Sequence, residues 1–243
     1  MNQPGGEPYQ TGANNGVDLA GIMARAKEVV LSPAQAWTRI KAEQTSIADI
    51  YKNYLIYIAL IPAVAGFLGG WLVGINLPFV GTWHTPFLGG LISHVVQYGL
   101  QLGMVFVMAS IISFVAPKFG GSSDRTSAFK LVAYAMTPAL TCGILGIIPS
   151  LMMIGALLSF YSVYVFYIGI TPVVGVPTDK RLVFTLVCAG LGIVAAIVIS
   201  AVVMAVTPRP QMMLPSVNPQ SIDFRNLEQG LKNLNQMLPK TDR

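Results

Sequence analysis

The chain has 243 residues, of which 53% are hydrophobic and only 10% are charged, and its mean hydropathy is +0.63. A soluble domain carries about a quarter of charged residues, so this composition excludes a soluble globular domain and predicts an integral membrane protein. The net charge of +5 comes from basic residues that are dispersed along the chain, which excludes a nucleic-acid-binding patch.

The N-terminal region divides into two parts. Residues 1–16 are rich in Gly, Asn, Gln and Pro and are predicted to be a disordered tail. Residues 17–53 are predicted to form cytoplasmic amphipathic helices, with a break at Ser32-Pro33 and Ser32 as the N-cap of the second helix. Two interpretations are open for these helices, namely a collar that lies in the membrane interface or a solvated cap on a helix bundle.

The distribution of charge predicts the number of membrane crossings. All 25 charged residues fall into clusters that leave three gaps, at residues 53–117, 131–178 and 182–208. A membrane-spanning helix needs about 20 apolar residues, so the first two gaps hold two spans each and the last gap holds one. The sequence therefore predicts an all-α fold, in which residues 54–207 form a five-span transmembrane helix bundle.

The central block of the chain, residues 131–171, contains no Asp, Glu, Lys or Arg. As one helix it would be about twice as long as the ~30 Å hydrocarbon core of a bilayer. Pro149 has no amide proton, disfavours helix in the residue before it and suits the start of the next helix. The block is therefore predicted to be two spans joined by a tight turn at residues 146–150.

A polar stripe is predicted within the second span. Its members recur at positions i, i+3, i+4 and i+7, and they are His94, Gln97, Tyr98 and Gln101. They share one helix face and are expected to point into the bundle. The stripe either lines a hydrated cavity or proton path, or it forms interhelical hydrogen bonds that lock the bundle.

The third span is predicted to supply the rest of an intramembrane polar seam, namely Tyr134, Thr137, Pro138 and Thr141. Pro138 predicts a kink that frees a backbone carbonyl, for which the threonine hydroxyls can compensate. Gln97 and Gln101 are expected to face Tyr134 and Thr141, because an amide turned toward lipid costs several kcal/mol.

A set of glycines in the first span is predicted to mediate helix packing. Gly66, Gly70 and Gly74 are spaced four apart, which places three positions without side chains on one helix face. Such a face lets another backbone approach closely. Packing within the bundle is favoured over a dimer interface, and a homo-oligomer stays open.

The alternation of Lys and Arg between loops predicts the orientation in the membrane. Basic residues precede the first span and follow the second and fourth, which predicts a cytoplasmic N-terminus and, after five spans, an extracytoplasmic C-terminus. Residues 208–243 are predicted to be an extracytoplasmic linker followed by an amphipathic helix. The apolar face of that helix carries Phe224, Leu227, Leu231, Leu234 and Leu238.

Several landmarks of the chain resemble, in the same order, the Yip (Ypt-interacting protein) domain family in its bacterial form. The resemblance covers roughly residues 25–206 and implies a five-span bundle with a cytoplasmic N-terminus. In eukaryotes, similar proteins associate with Rab-type GTPases and help to shape or traffic membranes. The landmarks are Leu31-Ser32-Pro33 with Trp37, Tyr134 to Pro138, Ile148-Pro149-Ser150, and Val176-Pro177 with Lys180.

No catalytic, cofactor or metal site is predicted. The sequence has no HExxH, GxSxG or Walker motif and no pair of intramembrane carboxylates. His84 and His94 lack a third metal ligand, and Cys142 and Cys188 lie within predicted spans, where inert thiols are usual.

The expected function is that of a non-enzymatic scaffold, adaptor or membrane-organising factor in the bacterial inner membrane. The alternative is a small transporter or channel that uses the polar stripe. The expected partners are the lipid bilayer and an unidentified membrane or membrane-associated protein. No cofactor, nucleic acid or small-molecule substrate is assigned.

Overall fold

The computed structural model of the protein describes residues 18–77 and 81–206. The predicted disordered tail and the predicted C-terminal linker and amphipathic helix lie outside these residues. The chain up to Val202 forms one compact unit, and the described part of the remaining unit is the end of the last helix.

The chain begins with two helices, α1 (Leu19–Leu31) and α2 (Pro33–Ala42), separated at Ser32. The break confirms the prediction from Ser32-Pro33, and Pro33 occupies the first turn of α2, where its missing amide proton costs no hydrogen bond. Ser32 occupies the N-cap position as predicted, but its side chain makes no capping hydrogen bond. We call α1 and α2 together the N-terminal cap.

Within the described residues, five helices are long and apolar enough to cross a membrane, and the fold is an all-α bundle as predicted. The first begins at Ile47, seven residues before the predicted start, because Ser46 and Asp49 cap its first turn reciprocally. The spans are Ile47–Val73, Phe87–Phe119, Arg125–Ile147, Pro149–Val174 and Arg181–Val198, the last within a helix that continues to Val206.

Most spans are built from several helical segments. The first contains π-helical turns at Tyr51–Leu55 and Gly69–Val73 around the α-helix Ile56–Leu68, and the second is the α-helix Phe87–Val115 with a 3₁₀ turn at Ala116–Phe119. The third span consists of Arg125–Ala135, Thr137–Cys142 and Gly143–Ile147. The fourth span consists of Pro149–Leu151, Met152–Ser159, Tyr161–Gly169 and Ile170–Val174.

The central hairpin turns at Ile148, as predicted. Ile148 has extended backbone angles, and Pro149 begins the fourth span. The third span is interrupted at Met136, just before Pro138, and the hydroxyl of Thr141 donates to the Thr137 carbonyl at 2.9 Å. The kink and the local threonine hydrogen bond therefore occur together in this span.

A short antiparallel ribbon connects the first two spans, and the sequence analysis did not predict it. Its strands are β1 (Ile75–Leu77) and β2 (Gly81–Trp83), paired in the register Ile75 with Trp83. Gly74 precedes the ribbon with a φ of 78°, a left-handed conformation that glycine adopts without steric cost.

Candidate functional site

A partly enclosed recess of about 270 Å³ lies among the first four spans. The entire predicted stripe of the second span lines one wall, because its four residues share one helix face. The other walls are made mainly of small residues. They include Ala63 and Gly66 of the first span, Ala139, Cys142 and Gly143 of the third, and Gly155, Ala156 and Ser159 of the fourth.

From its position along the second span, the recess is expected at the level of the hydrocarbon core. Phe87, the first residue of the second span, packs against Trp71 with ring centroids 5.1 Å apart, an aromatic pair of the kind found at membrane interfaces. At 1.5 Å per residue, His94 is about 10 Å and Gln101 about 21 Å from Phe87 along the helix. Polar side chains at this depth are expensive unless they are hydrogen-bonded.

Two members of the stripe have hydrogen bonds to the protein. The Tyr98 hydroxyl donates to the carbonyl of Ile56 at 3.0 Å, which ties the second span to the first. Nδ1 of His94 lies 2.8 Å from the Gly90 carbonyl. Since a carbonyl only accepts, Nδ1 carries the proton in this hydrogen bond, and Nε2 is the other polar atom of the ring.

The two amides of the stripe differ from Tyr98. Within residues 18–77 and 81–206, no protein group forms a hydrogen bond with the side chain of Gln97 or Gln101. Gln97 is exposed at the lateral opening of the recess, and Gln101 is partly buried. The interhelical locking that the sequence suggested for this stripe therefore involves Tyr98, and the amides are left facing the recess.

The other predicted seam residues occupy a different place. Tyr134, Thr137, Pro138 and Thr141 do not line the recess. Tyr134 packs on the Tyr54 ring, with centroids 4.8 Å apart, and the Tyr54 hydroxyl lies 2.7 Å from the Thr137 hydroxyl. The predicted seam residues thus form two separate groups. The stripe of the second span lines the recess, and the residues of the third span lie on the face of that span turned away from it.

The expectation that Gln97 and Gln101 face Tyr134 and Thr141 is therefore corrected. The third span turns Ala139 and Cys142 toward the recess instead. The reason is that the face with Tyr134 is already covered by the first span and the N-terminal cap, where the Arg25 guanidinium lies 6.0 Å from the Tyr134 ring centroid.

The predicted packing glycines meet side chains, and Gly66 also meets the backbone of the third span, because a Cβ on Gly146 would lie 3.4 Å from the Gly66 nitrogen. A Cβ on Gly66 would lie 3.0 Å from Nε2 of His94, and one on Gly70 would lie 2.8 Å from the Thr85 hydroxyl. Gly74 is not on the helix face at all, since its positive φ ends the span. The four-residue spacing did identify close approaches, and their partners are the connector, the second span and, for Gly66, the third span.

The closest approach between backbones is at Gly69. A Cβ there would lie 2.0 Å from the Gly146 carbonyl oxygen, and one on Gly143 would lie 2.5 Å from Cβ of Pro62. The first and third spans are therefore in backbone contact beside the recess. The sequence signal was present in the paired spacing of Gly66 with Gly69 and of Gly143 with Gly146.

A buried charge joins the N-terminal cap to the third span. Lys130 is 6% exposed, and its Nζ donates to the carbonyls of Ile40 at 3.2 Å and Glu43 at 2.5 Å. These carbonyls lie at the C-terminal end of α2, where backbone acceptors have no helical partner and the helix dipole favours a cation.

An ion-pair network extends from this contact. The Arg25 guanidinium, which is buried, pairs with the Glu43 carboxylate and with Glu28 at 3.6 Å, while Arg39 pairs with Glu28 at 3.2 Å. Burial lowers the pKa of Arg25, but Glu43, Tyr134 and Glu28 outweigh this and raise the pKa above its usual value. The cation is therefore retained in its buried position.

The N-terminal cap also packs on the fourth span. Trp37 is 1% exposed, and its Nε1 donates to the Val165 carbonyl at 3.0 Å. A Cβ on Gly169 would lie 2.5 Å from the Trp37 ring, so only glycine leaves room for the indole. The Tyr161 hydroxyl donates to the Val30 carbonyl at 2.9 Å. These contacts support the interpretation of α1 and α2 as a cap on the bundle.

Among the described residues, no group of three or more His, Cys, Asp or Glu side chains is arranged to hold a metal ion. In the recess, Ser159 donates to the Gly155 carbonyl of its own helix at 2.8 Å. What the recess offers chemically is thus a set of hydrogen-bonding groups, from two amides and one imidazole nitrogen, within an otherwise apolar lining.

Comparisons with known proteins agree with this architecture. The sequence model of the Yip1 domain matches residues 27–199. Over 169 residues the chain is 25% identical to inner membrane protein YohC of Escherichia coli strain K12, an alignment that covers 67% of this chain and 85% of that protein. YohC of Escherichia coli O6:H1 gives the same values. No solved structure matches the chain significantly.

Proposed function

Since the chain belongs to the Yip1 domain family, we propose that it is a non-enzymatic scaffold, adaptor or membrane-organising protein of the bacterial inner membrane. The similarity to the inner membrane protein YohC supports this location. The observation that carries the proposal is the dense packing of the bundle at the end that holds the N-terminal cap.

Beyond the recess, toward the cap, the second span is tightly packed. The Tyr51 hydroxyl donates to the Leu102 carbonyl at 2.6 Å, and Val105, Ala109 and Ile112 are buried immediately after it. A transporter or channel needs a continuous polar path and usually has an ionisable group within the membrane. This packing and the enclosing cap favour a structural role over passage through the bundle.

The alternative is a small transporter or channel, and one observation favours it. Gln97 and Gln101 have amides without a protein partner in the part of the chain that the structure describes. A transport pathway would use such groups to replace the hydration of a solute. For that reason the decisive experiment compares flux with partner binding.

The full chain is reconstituted into liposomes that contain a pH-sensitive dye, and proton and potassium flux are measured against empty liposomes. We expect no flux above the empty vesicles, and capture from cross-linked native membranes should recover a membrane protein in stoichiometric amount. Flux that the Gln101→Leu variant abolishes would contradict the scaffold proposal and support the transporter.

The proposal includes the orientation and the domain boundaries. We propose a cytoplasmic N-terminus, a membrane domain over residues 54–207 and an extracytoplasmic segment over residues 208–243, supported by the alternation of basic loops. Single cysteines at Ser123 and Thr82, in a chain with Cys142 and Cys188 replaced by serine, should react oppositely with a membrane-impermeant maleimide. Equal accessibility of the two positions would contradict this orientation.

A further inference from the structure

The amides of the recess require an occupant that forms hydrogen bonds. Gln97 and Gln101 face the recess at the level of the hydrocarbon core, and the described residues give them no partner. An amide left unpaired in hydrocarbon is costly, so a group from outside the bundle satisfies them. Gln97 is exposed at the lateral opening, which places that opening toward the lipid.

The size of the recess selects the kind of occupant. A helix about 10 Å in diameter, lying along the roughly 10 Å from His94 to Gln101, would fill about 800 Å³. The recess measures about 270 Å³, which admits a small molecule but not a partner helix. Its mixture of a few convergent polar groups and an apolar lining between helices is typical of small-molecule sites.

The chemistry of the lining indicates the polar head of that molecule. The amides of Gln97 and Gln101 offer N–H donors for a carbonyl, and Nε2 of His94 accepts from a hydroxyl. The facing walls carry small residues such as Ala63, Ala139 and Ala156, which leave room for a ring between the spans. The polar groups and the ring-sized space are at the depth where lipid tails, not headgroups, lie.

We propose that this recess binds a membrane-dissolved lipophile whose head is a ring with carbonyl or hydroxyl groups, the chemical class of the isoprenoid quinones. The molecule enters sideways from the bilayer between the second and fourth spans. The head is held by Gln97, Gln101 and His94, and the tail remains in the lipid. This binding site goes beyond the proposed scaffold role and does not depend on it.

Cys142 supplies a reporter for the test because it lines the recess, whereas Cys188 is buried at 2% exposure elsewhere in the bundle. In a Cys188→Ser chain reconstituted into liposomes, the rate at which N-ethylmaleimide labels Cys142 is measured with decylubiquinone. All ring positions of this probe are substituted, so it does not add to thiols. Decylbenzene, which has the same tail without the carbonyls, is the control.

We expect decylubiquinone to slow the labelling of Cys142 at least fivefold and decylbenzene to change it less than twofold. Decylubiquinone should also raise the thermal unfolding temperature of the detergent-solubilised protein, a readout that does not involve the thiol. Equal protection by both probes would show an apolar crevice and overturn the proposal. No effect of decylubiquinone on the unfolding temperature would also overturn it, whether or not Cys142 reacts.

A matched pair of variants locates the effect. Replacing both Gln97 and Gln101 with leucine should abolish the protection and the thermal shift. Replacing Val95 and Val96 with leucine, on the exposed face of the same helix, should preserve both. Protection that survives the loss of both amides would overturn the assignment, and the probe comparison in the native recess keeps the test valid if the glutamine variant does not fold.

Discussion

The two halves of the bundle are held together in different ways. Near the N-terminal cap, large side chains such as Trp37 and Phe129 are completely buried, and the buried cations Arg25 and Lys130 are satisfied by carboxylates and helix-end carbonyls. Around the recess, contact between spans relies on glycine at positions such as Gly69. The side that carries the N-terminal cap thus holds large buried side chains, and the spans around the recess are held by small residues.

This difference shows that when a membrane bundle contains an open recess, contacts in another part of the bundle must stabilise the fold. Lipid tails are as apolar as leucine, so helix association in a bilayer depends on close packing and hydrogen bonds. Around the recess, small residues supply contact between backbones but little side-chain volume. The cap supplies that volume and adds hydrogen bonds across long sequence separations, such as the one between Trp37 and Val165.

The sharpest test of this comparison uses one tryptophan from each half. Trp37→Ala should lower the free energy of unfolding by about 3–5 kcal/mol, because it leaves a large cavity in the cap. Trp71→Ala should cost only about 1–2 kcal/mol, since Trp71 is partly exposed and mainly loses ring contacts with Phe67 and Phe87. Unfolding in mixed micelles with rising SDS would measure both, and equal costs would refute the comparison.

The next test removes the buried cation of the cap. Lys130→Met keeps most of the aliphatic stem but leaves the carbonyls of Ile40 and Glu43 without their donor, so we expect a loss of about 1–3 kcal/mol. Lys41→Met is the control on the exposed side of α2 and should change stability by less than about 0.5 kcal/mol. If the two lysines behave alike, the cap is not anchored through Lys130.

A third test examines the backbone contact beside the recess. Gly69→Ala should destabilise the protein by about 1–3 kcal/mol, because the added methyl group would collide with the Gly146 carbonyl. Gly89 has open space around it. Because alanine favours a helix more than glycine does, Gly89→Ala should leave stability unchanged or raise it by up to about 1 kcal/mol. A tolerated Gly69→Ala would show that the two spans separate easily.

The smallest effects should separate two neighbours on the polar stripe. Tyr98→Phe removes the hydrogen bond to Ile56 and should cost about 0.5–1.5 kcal/mol in thermal unfolding experiments. Gln101→Leu removes an amide that has no partner in the described chain, so stability should stay within about 0.5 kcal/mol or rise. A marked loss from Gln101→Leu would revive the interpretation of the amides as interhelical locks.

The fold was predictable where a local signal determined it. Stretches without charge predicted the five spans, and Pro149 predicted the turn of the central hairpin. Both signals depend only on residues that are adjacent in the sequence. The polar stripe was predictable for the same reason, since helical spacing fixes which side chains share a face. The residues of the third span that face the stripe were not predictable, because Tyr54 and the cap cover the face of that span that carries Tyr134.

The parts that escaped prediction depend on distant partners. The burial of Lys130 was not predictable, because its acceptors lie 87 and 90 residues earlier in the chain. The short ribbon after Gly74 pairs Ile75 with Trp83, which the apolar composition of the connector does not indicate. The close contact of Gly69 with Gly146 likewise requires knowing which two spans are neighbours.

The hydrogen bond between the indole of Trp37 and the Val165 carbonyl has a consequence for biosynthesis. The two residues are 128 positions apart, so the ribosome makes the cap early and its docking surface much later. α1 and α2 must wait at the membrane until the fourth span has been inserted, and only then can the cap close. In a chain that ends before residue 165, Trp37 lacks its hydrogen-bond acceptor. α1 and α2 then stay undocked and accessible to proteases that remove incomplete membrane proteins.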